Sequence, residues 1–186
     1  MATKTVPSFE EILKVQNKLI DMQIQDWIHH DLFTFQFWLL IILLVVPWLL
    51  WWKFVDRKRL IEILLYGLLV ATFVTILDEL GAQLNLWEYP IDIEPLFPRM
   101  IPINLTVFPV IYMFIYQYFS EWKSFLIANA VLAAVLSFIA ENIFEWLGMY
   151  KLFKWENYYS FPIYILIALF LKWLMKLILG KQISAM

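Results

Sequence analysis

Asp78-Glu79-Leu80-Gly81-Ala82-Gln83-Leu84-Asn85-Leu86-Trp87-Glu88-Tyr89 breaks a long apolar run with two adjacent carboxylates. A looser copy comes later, Glu145-Trp146-Leu147-Gly148 and then Trp155-Glu156-Asn157-Tyr158. Each copy sets an acid, a glycine three residues on, then Trp-Glu and a Tyr at the foot of a hydrophobic segment. Elbows of this kind, at the ends of apolar runs, are the turns of a stack of membrane helices.

Composition agrees with that reading. Of 186 residues, 63% are hydrophobic and only 16% charged, too few for the charged shell of a soluble domain. Uncharged runs of bilayer-crossing length place the chain among polytopic membrane proteins. The formal net charge of −2, with no extended basic block, gives no footprint for nucleic acid. With no cysteine there are no disulfides, thiolate metal sites or Cys nucleophiles. His29-His30-Asp31 resembles a ligand cluster, but adjacent side chains on a helix point apart, so neither a metal nor another cofactor is expected.

The expected fold class is all-α, a membrane helix bundle of five transmembrane helices preceded by an amphipathic helix. Residues 1–31 form an N-terminal interfacial segment: an irregular start over 1–7, then a helix opened by the capping box Ser8…Glu11. Its apolar residues Phe9, Leu13, Ile20, Ile24 and Trp27 gather near one face, which suits the membrane surface. Residues 32–186 form the membrane domain, with spans over about 32–52, 60–80, 100–119, 125–146 and 159–179. Lys53, Arg57, Lys58, Arg59, Lys123, Lys172, Lys176 and Lys181 fall on one side, and Arg99, Lys151 and Lys154 on the other, with Lys4, Lys14 and Lys18 of the distant leader. The positive-inside rule then puts the N-terminus and both acidic elbows outside and the C-terminus in the cytoplasm.

The elbows sit inside a larger duplication. Units 60–119 and 125–179 each run outward, turn and return. Their returning spans carry Phe108-Pro109-Val110-Ile111-Tyr112 and Phe161-Pro162-Ile163-Tyr164. This is a parallel two-fold repeat about an axis along the membrane normal. Gly67, Ala71, Thr75 and Glu79 form one stripe, and Asn129, Ala133, Ser137, Glu141 and Glu145 another. Small residues let helices approach closely in lipid, so spans two and four are expected to face one another or a shared cavity.

Carboxylates at the ends of apolar helices are either solvated at headgroup level or gathered for chemistry. As a group, Asp78, Glu79 and Glu145 are the candidate acids. Thr75, Glu79, Trp87, Tyr89, Arg99, Asn104, Ser137, Glu141, Glu145, Trp155 and Tyr158 are candidates for the cleft. A helix C-terminus disfavours negative charge, so these acids need a compensating partner, and Arg99 is the only arginine on that side. The loop between Trp87 and Pro102 holds Pro90, Pro95 and Pro98, cannot be helical throughout, and is expected to fold over the outer mouth.

Asp78, Trp87-x-Tyr89, the Pro-rich loop and Ile101-Pro102-Ile103-Asn104-Leu105 together resemble the lycopene cyclase domain of carotenoid biosynthesis. In that family an Asp…Trp-x-aromatic pattern precedes a Pro-x-Glu-Glu or Glu-Asp motif at the next helix. Here Asn104 and Leu105 stand where the acid pair would be. An amide and a leucine cannot protonate a polyene, which argues against an enzyme. The whole chain is similar to small five-span membrane proteins of spore-forming Firmicutes, a resemblance that implies a bacterial plasma membrane and assigns no activity. The expected function is non-enzymatic binding of an apolar lipid or isoprenoid, or of a membrane partner or second copy. An isoprenoid-modifying enzyme of the cyclase kind is the first alternative, and an ion-coupled transport subunit the second.

Overall fold

The computed structural model describes residues 6–184 apart from Phe97, and the side chains of residues 6–180. Residues 1–5 of the expected irregular start, and the Lys181 side chain counted in the charge bias, lie outside the described residues.

Helices account for nearly all the regular structure. Helix α1 is Phe9–Asp26, followed by a π-helical turn Trp27–Asp31. Both halves of its capping box form: the Ser8 hydroxyl accepts from the Glu11 N–H, and Glu11 accepts from the Ser8 N–H. None of its residues is buried; Phe9, Leu19 and Met22 are exposed. Helix α2, Phe35–Phe54, starts where the Thr34 hydroxyl takes the Phe37 N–H. A 3₁₀ turn over Arg57–Arg59, capped by Asp56, leads into α3, Leu60–Gln83. A π-helical turn Ile103–Val107 opens α4, Phe108–Tyr118. Helix α5, Trp122–Val135, passes through a third π-helical turn, Leu136–Ala140, into α6, Glu141–Trp146. Helix α7 is Asn157–Ser184.

Among the described residues four helices are long and apolar enough to cross a membrane: Phe35–Phe54, Arg57–Gln83, Trp122–Trp146 and Asn157–Gly180. The expected third span, 100–119, is a shorter apolar helix, Ile103–Tyr118. Ile101 and Pro102 just ahead of it are already helical, and the chain enters them from Met100, whose backbone is left-handed, φ 50°. This helix nevertheless runs antiparallel to α3 over most of its length. The Asn104 amide meets Asp78 at one end, and the Tyr116 hydroxyl donates to Glu62 at the other, 2.8 Å away. Between these ties Tyr66 stacks on Tyr116 (4.2 Å, 16°) and Met113 lies over Gly67 so closely that a Cβ there would collide with it.

The expected face-to-face contact of spans two and four is not what forms. Helix α3 packs chiefly on α4 and α7, and α5 on α7. The small residue of the α3 stripe is used by its hairpin partner, since Gly67 is filled by Met113. Helix α2 closes one flank: its Trp48 indole donates to Thr106 (3.1 Å), and Gln36 donates to the Leu147 carbonyl. At the basic end, Lys172 Nζ donates to the Phe119 and Ser120 carbonyls (3.1 and 2.6 Å), satisfying groups freed at the end of α4.

At the opposite end the two elbows meet. Strand β1, Trp87–Glu88, pairs antiparallel with β2, Lys151–Leu152, with Trp87 opposite Leu152 and Glu88 opposite Lys151. Each outgoing helix ends in the same way. Asn85 (φ 53°) and Gly148 (φ 72°) are left-handed. The next N–H reaches back to close the last turn, Leu86 to Gly81 and Met149 to Phe144.

Candidate functional site

The helix stops give the register that places the site. Asp78 stands as far ahead of Asn85 as Glu141 does of Gly148, so these two carboxylates occupy matching positions on α3 and α6. The spacing from acid to glycine, taken alone, matches Asp78 with Glu145 instead. That residue is exposed, and its Gly148 serves the helix stop rather than packing. The glycine of the first elbow has another use. The Trp87 ring lies against Gly81, where any Cβ would collide with it. That close approach lets the indole reach Asp78 a turn away.

Asp78 is buried, and both of its oxygens are occupied. Oδ1 accepts from Trp87 Nε1 (2.9 Å) and the Tyr89 hydroxyl (2.5 Å), while Oδ2 accepts from Asn104 Nδ2 (2.6 Å). Asn104 also donates to the Arg99 carbonyl. The amide that departs from the cyclase pattern is thus a donor to the elbow carboxylate. Burial and the Asp78 charge push the Tyr89 phenol well above its ordinary range, so it keeps its proton and donates.

Arg99 serves the neighbouring acids. Its guanidinium pairs with Glu79 (2.8 Å) and Glu88 (2.9 Å), and its own N–H donates to Glu79 (2.7 Å). The loop that carries it is pinned from below. Asp92 accepts the Ile93 and Met100 N–H groups (2.7 and 2.5 Å), and the Asp92 N–H donates to Asp31. Burial, with the charges of Glu94 and Asp31 adding to it, pushes the Asp92 carboxyl up to about 7.

Glu141 has a looser shell. Tyr164 donates to it at 2.6 Å and Ser160 at 3.3 Å, and Trp155 reaches only Ser160 (3.1 Å). Asn157 precedes Phe161-Pro162 by the same spacing that Asn104 precedes Phe108-Pro109. It turns to Asn142 instead (3.0 Å). Trp87 and Trp155 meet edge to face at 5.1 Å, and Tyr89 stacks on Tyr150 at 5.4 Å.

Two adjoining cavities open around these groups. One, of about 240 Å3, is lined by Val74, Asp78, Gly81, Trp87 and Ile167 among others. The second, of about 140 Å3, lies towards α2 and is lined by Leu43, Met100, Phe144 and Glu141. Tyr89, Phe108, Tyr150 and Tyr164 line both. The second cavity takes wall from two π-helical turns, through Ile103 and Val107 on one and Leu136 and Ala140 on the other. Such turns widen a helix and recur at functional sites.

Of the expected cleft residues, Trp87, Tyr89, Asn104, Glu141 and Trp155 converge here with Asp78. Glu79 and Arg99 form the ion-paired rim. Thr75 on α3 and Ser137 on the third π-helical turn keep buried hydroxyls without partners and line neither cavity. Tyr158 is exposed, against Tyr159. Reasoning from sequence missed Tyr150, Ser160 and Tyr164. The Tyr of Phe161-Pro162-Ile163-Tyr164 was a usable signal, since Tyr112 in the matching motif donates to the Tyr164 carbonyl. His30 bonds Asp26 at the surface, and among the described residues no three acids or histidines are arranged to hold a metal. No family model matches the chain, and neither a curated protein nor a solved structure shows significant similarity to it.

Proposed function

We propose that this integral membrane protein binds an elongated apolar molecule, a lipid or isoprenoid, in the paired cavities between its elbows. The observation that carries this reading is the shared aromatic wall of Tyr89, Phe108, Tyr150 and Tyr164 between two apolar cavities, each holding one carboxylate. Convergent polar groups in an otherwise apolar concavity are the usual make-up of a ligand site. The test is mass spectrometry of protein extracted in mild detergent. One apolar species enriched over the bulk membrane, and lost when Ala140→Trp fills the second cavity, supports binding. Phospholipid in its bulk proportions in both proteins overturns it.

The binding reading is joined to a topology. The chain crosses five times, with Ile103–Tyr118 as the third crossing, since its ends meet Asp78 and Glu62 at the two ends of α3. The two halves form a parallel two-fold repeat, supported by the matched helix stops and by the Glu88–Lys151 strand pair at equivalent positions. The elbows face outward from a bacterial plasma membrane, and the basic end faces the cytoplasm. Because the chain has no cysteine, single Glu156→Cys and Lys123→Cys variants report sidedness directly. An impermeant thiol reagent on intact cells should label the first alone.

A second reading, an isoprenoid-modifying enzyme, is favoured by one observation: Glu141 lies in an apolar cavity, where a carboxyl can hold a proton for a polyene. An altered polyprenol or pigment profile on expression, abolished by Glu141→Gln, would establish it.

A further inference from the structure

The charge balance of the paired cavities says what kind of head group the occupant carries. Asp78 and Glu141 are bonded only by uncharged donors: an indole, two phenols, an amide and a hydroxyl. Among the described residues no lysine or arginine pairs with either. The nearby Arg99 is committed to Glu79 and Glu88. A carboxylate withdrawn from water without a counter-ion is costly, and a ligand that brings the missing positive charge relieves that cost.

Tyr150 supplies an independent pointer. It is 8% exposed and lies on the wall shared by both cavities, yet its hydroxyl has no hydrogen-bond partner among the described residues. Burial, and then the charges of Glu141, Asp78 and Glu145, raise its pKa, so it stays a neutral phenol. A polar side chain on a cavity wall is a place where a ligand's polar group can find a partner. The Tyr150 oxygen accepts, and its ring offers a π face of the kind that attracts cations.

Asp78 and Glu141 differ in what they can still receive. The Asp78 shell is closed by three donors. Glu141 has one short bond, from Tyr164, and one long one, from Ser160. A primary ammonium carries three N–H donors and no acceptor, which suits the open side of Glu141 and the Tyr150 oxygen together. An alcohol leaves the charge unbalanced, and an acid adds to it.

Resting on the lipid-binding reading above, we propose that the occupant is an amphiphile with a protonated primary amine as its head, seated between Glu141 and Tyr150 with its chain in the apolar cavities. The full chain in phosphatidylglycerol nanodiscs tests this with three probes of equal length, hexadecylamine, hexadecanol and hexadecanoic acid. The Ala140→Trp variant serves as the blank for partition into lipid. Hexadecylamine should bind at least about tenfold more tightly than hexadecanol, the factor set by one retained charge interaction. That preference should shrink several-fold in Glu141→Gln and in Tyr150→Phe, while hexadecanol binding holds. Equal binding of amine and alcohol, both reduced by Ala140→Trp, would overturn the cationic head and leave the lipid site standing. No binding above the blank by any probe would overturn both. If phosphatidylethanolamine in the nanodisc competes with hexadecylamine, the head belongs to an aminophospholipid; if it does not, to a single-chain amine. Protein-free nanodiscs of the same lipid give a second blank for partition, so a misfolded substitution does not shield the proposal.

Discussion

The two elbows are built to the same plan and finished differently. In the first, Asp78 draws Trp87, Tyr89 and Asn104 onto itself, and Gly81 is bare so that the indole can reach it. In the second, Glu141 keeps only Tyr164 and a distant Ser160, Trp155 stops at the serine, and Asn157 turns to Asn142. A closed shell fixes a backbone; an open one leaves an acceptor for something else. The first elbow is therefore closed on itself, and under the proposed function the second is the half that would meet a ligand.

The sharpest way to break this contrast is to remove the two carboxylates in turn. Asp78→Ala strands three donors around a buried gap, each worth about 1–3 kcal/mol when left unmet. The loss should be of the order of 3 kcal/mol or more in detergent-solubilised protein unfolded by heat. Glu141→Ala, with fewer and longer bonds to lose, should cost about 1–2 kcal/mol. Equal losses would mean that both elbows are structural.

The glycines come next. Gly81→Ala drives a methyl into the Trp87 ring and should cost about 2 kcal/mol through overpacking, along with loss of the indole bond to Asp78. Gly148→Ala meets open space and has only its left-handed backbone to strain, roughly 1 kcal/mol. Indole fluorescence in a protein retaining Trp87 should shift for the first variant and hold for the second.

The smallest effect is a pH response confined to the first side of the mouth. The Asp92 carboxyl, raised to about 7, holds a proton in the closed loop that it would release in an open one. The linkage then runs downward: loop stability is greatest in acid and falls as pH rises through about 7. Asp31, Glu94 and Arg99 line the same polar recess and set the local charge. Hydrogen exchange over residues 90–96, corrected for intrinsic rate, should show more opening at about pH 8.5 than at about pH 5.5. Residues 151–156 should show no such change. An Asp92→Asn chain should lose the dependence.

Much of this architecture could be read from hydropathy and capping chemistry. The Ser8–Glu11 box, the basic end and four long apolar helices follow from local rules that tertiary contacts do not override. Two things could not be read locally. The third helix is entered through a left-handed Met100 whose N–H is held by Asp92, a contact made across a loop. The equivalence of Asp78 with Glu141 was hidden because Gly81 and Gly148 share a letter and a spacing but not a purpose. One is a surface for a ring and the other a helix stop, which in the first half is an asparagine. The cavity tyrosines at 150 and 164 lie far from the Trp-Glu signature in sequence, and only packing brings them to it.

The short strand pair between Glu88 and Lys151 also orders events during synthesis. Helices α3 and α4 are tied at both ends to each other and need nothing later in the chain to form their hairpin. Strand β1, the Trp87 ring edge and the cavity wall all wait for residues 150–164 to leave the ribosome. The end that carries both elbows is thus the last part of the molecule to close. A nascent chain stalled before α7 would leave Trp87 without the Trp155 ring against which it packs.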